Sequence, residues 1–217
     1  MADNPVRYGF RAVKSRYGGG NLPVEKAWVA TSASFDVNGG ASNVVLGEGD
    51  LIIAVSDGSV TLAIGSEGTD SSTILGVVCG IKQYYDTATG TMTARGPGIP
   101  SDLAWGTNLA RRSELYYIPI EAAIWAAQCD DNTTFTTEAT YSDAIWENIT
   151  LVNTGASGTN RAAPKLDISE NATTNTHPFK IVGLSQTAGN QDYSGANVEL
   201  YVISNGTIAS RNAILGI

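Results

Sequence analysis

Few residues in this sequence have the types and spacing that catalysis requires. The single histidine, His177, lies in a polar T-H-P-F segment, with neither a Ser-His-Asp order nor an H-x-x-x-H pair. Glu121 and Glu147 could serve as the two carboxylates of a glycoside hydrolase, but nothing in the sequence brings them together. Asp130 and Asp131 alone provide too few oxygen ligands for calcium. We therefore predict a non-enzymatic protein without catalytic residues, a metal site or a cofactor.

The cysteines and glycine-rich segments do not indicate chemistry either. Cys79 and Cys129 form neither a disulfide framework nor a metal-binding spacing, and we expect two small buried thiols. The triple glycine at 18–20 is not followed by Lys-Ser/Thr, which a phosphate-binding loop requires. The G-V-V-C-G segment at 76–80 lacks the G-x-G-x-x-G pattern of a dinucleotide site.

The charge is unevenly distributed along the 217 residues. The formal net charge is −8, yet residues 1–26 carry a balance of +3 and the remainder a balance of −11. An acidic body disfavours nucleic-acid binding, because contacts to phosphate supply much of that affinity. No apolar stretch approaches 18 residues, and no signal peptide is visible, so we expect neither a membrane span nor secretion by that route.

Residues 1–23 are predicted to form an extended N-terminal arm, because Pro5, the glycine run and Pro23 oppose regular structure. Aromatic and basic side chains are interleaved in this arm, which suits contact with an acidic neighbour. Two alternatives stay open: the arm lies along a neighbouring subunit, or it folds back on its own domain. In the first alternative, the capsid or subunit contacts are Arg7, Tyr8, Phe10, Arg11, Lys14, Arg16 and Tyr17.

Residues 24–217 have the pattern of a β-rich domain. The segment 47–81 contains two β-rich runs joined by Asp57-Gly58, a strong hairpin signal, and a third strand at 74–78. Further strands are predicted at 165–168, 179–184 and 198–203. About ten short strands separated by turn signals favour an all-β, barrel- or sandwich-like single domain over βαβ units.

The segment 114–128 is ambiguous. Pro119 at a first helical position, followed by apolar residues on one face, favours a helix. The β-branched and aromatic residues on both sides of the proline favour two strands instead. Periodicity alone does not separate these alternatives.

Several motifs in order resemble a family of tailed-phage structural proteins, interpreted as head decoration or cement proteins. The resemblance covers nearly the whole chain, and it departs from the family pattern at Ala12, at Trp125 and in an acidic insertion at 129–143. The matching segments are N-P at 4–5, Y-G-F-R-A-V at 8–13, G-D-L-I-I at 49–53, S-D-G-S-V at 56–60, L-G-V at 75–77, the stretch 154–167, T-T-N-T at 173–176, F-K-I-V-G-L at 179–184 and V-E-L-Y-V-I-S-N at 198–205.

The resemblance implies a β-tulip or jelly-roll type of domain, with strand rather than helix at the end of 114–128. It also implies a non-enzymatic protein on the capsid surface of the virion, which binds the major capsid protein as a homotrimer and stabilises the assembled head. The alternative is a virion-displayed or secreted jelly-roll module that binds carbohydrate or a receptor through exposed tryptophans and Asn/Asp-rich loops. That alternative predicts glycan binding by the isolated protein.

Overall fold

The fold is all-β, as the sequence predicts, with two antiparallel sheets packed as a sandwich and one short helix. A computed structural model describes residues 9–28, 46–54, 58–63, 74–81, 84–86, 91–93, 98–99, 114–130, 134–152, 164–173, 177–186, 193–194 and 197–205. Within these ranges, no helix has the length and apolar character needed to cross a membrane.

The described residues contain fifteen strand segments, more than the sequence predicts because several are only two or three residues long. The strands are β1 (Arg11–Ser15), β2 (Glu25–Trp28), β3 (Leu46–Gly47), β4 (Leu51–Ala54), β5 (Val60–Leu62), β6 (Ile74–Ile81), β7 (Tyr84–Asp86), β8 (Thr91–Thr93), β9 (Gly98–Ile99), β10 (Glu114–Pro119), β11 (Ala123–Gln128), β12 (Asn148–Val152), β13 (Lys165–Ala172), β14 (Phe179–Leu184) and β15 (Glu199–Ser204). A 3₁₀ turn spans Ile120–Ala122, and the helix α1 spans Glu138–Asp143.

The strands form two main sheets. Sheet A has six strands in the order β1-β11-β15-β14-β12-β13, and sheet B has five in the order β2-β10-β6-β4-β5. The pairs β3-β9 and β7-β8 form two small ribbons. The predicted hairpin is confirmed as β4 and β5, with Gly58 at a φ of 81° in the turn between them. Positive φ is the conformation for which a glycine is favoured at such a turn.

The ambiguous segment 114–128 forms two strands, in agreement with the strand alternative. Pro119 ends β10 in sheet B, and the chain enters β11 of sheet A after the 3₁₀ turn. The buried Trp125 indole donates its N–H to the Ile120 carbonyl at 2.8 Å, which fixes this crossing. The proline therefore marks a corner between two sheets and not the start of a helix.

One apolar core lies between the sheets, because buried residues of both contribute to a single cluster. Sheet B supplies Leu51, Ile74 and Val77, while sheet A supplies a larger set that includes fully buried side chains. Those of sheet A are Ala123, Trp125, Ala127, Ile149, Leu166, Ile168, Phe179, Ile181, Leu200 and Val202.

The short helix α1 lies in the acidic insertion, for which no helix is predicted from the sequence. Its N-terminus is a capping box, in which the side chains of Thr137 and Thr140 each accept the other residue's backbone N–H at 3.3 Å. Tyr141 buries its ring beside Phe135 and Tyr193, with centroids 5.4 and 6.1 Å away. The helix is thus held by its cap and one aromatic anchor.

Candidate contact surface

Residues 9–15, which we call the leader, pack against the same chain. Phe10 is buried, and its ring lies 4.8 Å from that of Phe179 in the core. The Phe10 N–H donates to the Gly49 carbonyl at 2.7 Å, beside sheet B, while β1 pairs with β11 in sheet A. For the leader, the structure therefore shows the alternative in which the N-terminal segment folds back, and sheet A extends across the proposed boundary at residue 23.

The strands β1 and β2 each end one of the two sheets and follow each other along the chain. β1 is the last strand of sheet A beside β11, and β2 is the last strand of sheet B beside β10. The connection 16–24 runs from the end of β1 to the start of β2. We call β1, the connection 16–24 and β2 together the edge surface.

Apolar and basic side chains are exposed together on the edge surface. Val13 is 42 %, Tyr17 65 % and Val24 56 % exposed, and Lys14 and Arg16 are exposed beside them. The register of β1 against β11 shifts between Ala12 and Lys14, so Val13 is the extra residue of a β-bulge. A bulge on an edge strand twists the strand and limits uncontrolled pairing.

Two of the cations on the edge surface are held by buried carboxylates of the same chain. Arg11 Nη2 lies 3.2 Å from Glu199 Oε2, and Lys26 Nζ lies 3.7 Å from Glu114 Oε2. Burial raises the pKa of Glu199 above its ordinary value, even with the Arg11 guanidinium in contact, because that guanidinium is half exposed. These pairs anchor β1 and β2 to the sandwich.

The other two cations of the edge surface, Arg16 and Lys14, differ in their contacts. Arg16 donates from Nη1 to the Ser204 carbonyl at 3.3 Å, which ties the start of the connection to the end of β15. Lys14 is exposed, and the described residues provide it with no ion pair. Lys14 and Tyr17 are therefore the side chains of the predicted set that are most available to another molecule.

The seven predicted contact residues are thus separated by the structure into three groups. Arg7 and Tyr8 lie outside the described residues. Phe10 is in the core, where its ring cannot contact a partner. The edge surface carries the other four, which are Arg11, Lys14, Arg16 and Tyr17.

A cleft of about 350 Å³ lies beside the leader, between β1 and β6. Its walls are mostly backbone and apolar side chains, with Arg11, Glu48 and Cys79 as the polar or reactive groups. Burial, and next the nearby Glu48 charge, raise the pKa of the Cys79 thiol, so the thiolate that a nucleophile needs is disfavoured. Cys79 is therefore not an activated nucleophile.

The other candidate groups have structural surroundings. Asp130 Oδ1 accepts the Ile168 N–H at 3.1 Å, and burial raises the pKa of this carboxyl. Cys129 is fully buried, which raises its pKa well above the ordinary value. Asp131 lies outside the described residues. In the described ranges, no group of three or more His, Cys, Asp or Glu residues is placed to hold a metal ion.

One exposed residue was not identified from the sequence as a site. Trp146, between α1 and β12, is 67 % exposed and has a φ of 79°. Neither its exposure nor its backbone conformation has a sequence signal, since a tryptophan near Ile145 and Ile149 is typical of a core segment.

Comparisons with known proteins provide no relative for this chain. No protein-family model matches it, and no curated protein or solved structure does so at a significant level.

Proposed function

We propose that this protein decorates and stabilises an assembled phage head, without catalysing a reaction, by binding the major capsid protein through its edge surface. The proposal rests on the order of sequence motifs described above and on one structural observation. That observation is the coexistence, on β1 and the connection 16–24 of the edge surface, of exposed apolar side chains and the exposed cation Lys14.

Edge strands suit this role for a physical reason. Within the described ranges β1 and β2 each end a sheet, and side chains on such edge strands are accessible to another protein. Tyr17 and Val13 would supply buried apolar area, since aromatic residues are enriched in interfaces. Lys14 would meet a carboxylate, which makes the contact sensitive to salt.

The sandwich itself supplies the mechanical part of the function. Its core joins both sheets, so a force applied at the edge surface is carried by a rigid body and not by a flexible tail. As a homotrimer, the protein would present three edge surfaces, and weak contacts made simultaneously give a high avidity. The proposed location is the outer capsid surface.

The direct test measures how much protein binds to heads that lack it. The variants Lys14→Ala and Tyr17→Ala should each weaken binding by about 1 kcal/mol per contact, and the double variant should reduce occupancy at least tenfold. Binding of the wild-type protein should also weaken when the salt concentration rises. The readout is the protein-to-capsid ratio after sedimentation of the particles.

Two control variants make comparable changes at positions outside the edge surface. Gln186→Glu, at an exposed position beyond the end of β14, alters the net charge by the same amount as Lys14→Ala. Trp146→Ala removes another exposed aromatic side chain. Both should decorate heads like the wild-type protein. If the double variant also retains full occupancy, the edge surface is not the capsid contact.

The contribution of Arg7 and Tyr8 needs a separate truncation. A deletion of residues 1–20 would also remove Phe10 from the core and β1 from sheet A, so loss of binding would not be informative. A deletion of residues 1–8 leaves the leader in place and tests those two residues alone. Sedimentation equilibrium of the purified protein tests the homotrimer, and a monomer at micromolar concentration would contradict it.

A further inference from the structure

Trp146 combines two properties that are each unfavourable. Its large side chain is 67 % exposed, and its φ of 79° places a bulky residue in the left-handed region. A non-glycine residue in this region costs about 1–3 kcal/mol, and such conformations concentrate at ligand-binding positions. The backbone bonding to Ile181 accounts for the φ, but no ring contact or hydrogen bond of the indole is found among the described residues.

The backbone around Trp146 is firmly held. Its N–H donates to the Ile181 carbonyl at 2.9 Å, and the Ile181 N–H donates to the Glu147 carbonyl at 2.9 Å. Two consecutive residues thus face the single residue Ile181 of β14, which is the geometry of a β-bulge. Bulges redirect a side chain, and this one sets the direction in which the indole projects from the surface.

A hydrogen-bonded polar pair begins at the residue that follows the tryptophan in the chain. Asn171 donates from Nδ2 to Glu147 Oε2, which links β13 to the residue that follows Trp146. Among the described residues, no further partner is found for Glu147 Oε1 or Asn171 Oδ1. Both atoms are hydrogen-bond acceptors, and their side chains hold each other in place beside the bulge that carries the indole.

We propose that Trp146, Glu147 and Asn171 form a binding site for a neutral sugar ring. The C–H face of a pyranose matches the flat indole, and its hydroxyl groups can donate to the two acceptor oxygens. An apolar wall with a few fixed polar groups is the usual composition of small-ligand sites. Asp143 and Glu147 are close to Trp146 in the chain, and Lys180 pairs with Asn148 from β14, a balance of −1 that favours an uncharged ligand over an anionic one.

This site is separate from the edge surface and goes beyond the proposed function. Trp146 bonds to β14, which is three strands away from β1 in sheet A, or about 14 Å at the usual strand spacing. A protein bound to a capsid through β1 and β2 could therefore still bind a sugar. The two properties can be tested independently.

The experiment uses immobilised neutral oligosaccharides of glucose, galactose, mannose and N-acetylglucosamine, with the full-length protein as the probe. We expect binding to at least one of them, and a change in tryptophan fluorescence on titration. Trp146→Gly should reduce the affinity at least tenfold, while Trp146→Phe should retain part of it. Glu147→Gln should weaken it less than Trp146→Gly.

A stability measurement keeps the result interpretable. Glycine adopts a positive φ without steric cost, so Trp146→Gly should fold with an equal or higher Tm while it loses the sugar.

Absence of binding to every neutral sugar at millimolar concentration overturns the proposal, as does unchanged binding by Trp146→Gly. If Trp146→Gly instead lowers capsid occupancy without any sugar binding, the indole is a protein contact and the sugar site is refuted. The variants Lys14→Ala and Tyr17→Ala should bind the sugar normally, which distinguishes this site from the edge surface.

Discussion

Glu199 shows at the scale of a single residue how the leader and the sandwich are coupled. Its side chain is only 3 % exposed on β15, and its carboxylate receives the Arg11 guanidinium from across β11. The pair joins β1 to the third strand of sheet A. Desolvation of the buried carboxylate nevertheless dominates over this half-exposed partner, and the pKa of Glu199 is raised.

The raised pKa of Glu199 predicts a pH-dependent contribution to stability. Between the ordinary carboxyl pKa of about 4.3 and the higher folded-state pKa, the folded protein binds this proton more readily than the unfolded protein does. The contribution of Glu199 should therefore become less favourable as the pH rises through this window and more favourable as it falls. Denaturant titrations of the wild-type protein and Glu199→Gln at several pH values should show a difference in unfolding free energy that depends on pH.

The partner residue provides the matched control. Arg11→Gln leaves the buried Glu199 carboxylate without its cation, so the same pH dependence should become steeper. If the curves of the wild-type protein and Glu199→Gln run parallel through this window, the assignment of the pH dependence to Glu199 is wrong.

At the scale of elements, the leader is the part of the chain that the sequence describes least well. Its alternation of aromatic and basic residues predicts a surface contact. Lys14 in the leader is exposed, and the contact itself stays a prediction. The burial of Phe10 has no local signal, because it depends on Phe179, 169 positions away, and on the Gly49 carbonyl. Only the folded chain brings these groups together.

The other elements also differ in how well they can be predicted from the sequence. The hairpin β4-β5 could be predicted because its turn signal is local, and β14 because its apolar run is unambiguous. The corner at Pro119 could not be resolved, since a proline fits both a first helical turn and the end of a strand. The left-handed backbone at Trp146, and thus the candidate sugar site, is fixed by its bonding to Ile181, which sequence spacing does not reveal.

Because the leader packs tightly against the sandwich at Gly9, a single methyl group added there should strongly destabilise the protein. A Cβ at Gly9 would lie 2.0 Å from the Gly49 carbonyl oxygen, which is backbone and cannot turn aside. Gly9→Ala should therefore destabilise the protein by about 1–3 kcal/mol, as overpacking typically does. Gly20→Ala, where no other atom lies within 4 Å of the added Cβ, should change stability by less than about 0.5 kcal/mol. Equal unfolding free energies for the two variants in denaturant would contradict this docking of the leader.

At the scale of the whole molecule, three connections unite the sheets. The shared core is the first, the corner through the 3₁₀ turn between β10 and β11 is the second, and the leader is the third. The sandwich should therefore unfold as one cooperative unit. The two cysteines report on this, because Cys79 lies half buried in sheet B while Cys129 is fully buried between β15 and β13.

We expect the Cys129 thiol to react only when the whole domain unfolds. Its N–H donates to the Val198 carbonyl at 2.8 Å, and it forms a parallel bridge with Leu166, so its exposure requires disruption of the core that both sheets share. In a Cys79→Ser background, labelling of Cys129 by a thiol reagent should follow the same denaturant midpoint as circular dichroism. In a Cys129→Ala background, Cys79 should react without denaturant, although slowly, because its raised pKa keeps the thiolate scarce. Labelling of Cys129 at denaturant concentrations that leave the circular dichroism native would mean that sheet A opens by itself. The edge surface would then lack the rigid support that stabilisation of a capsid requires.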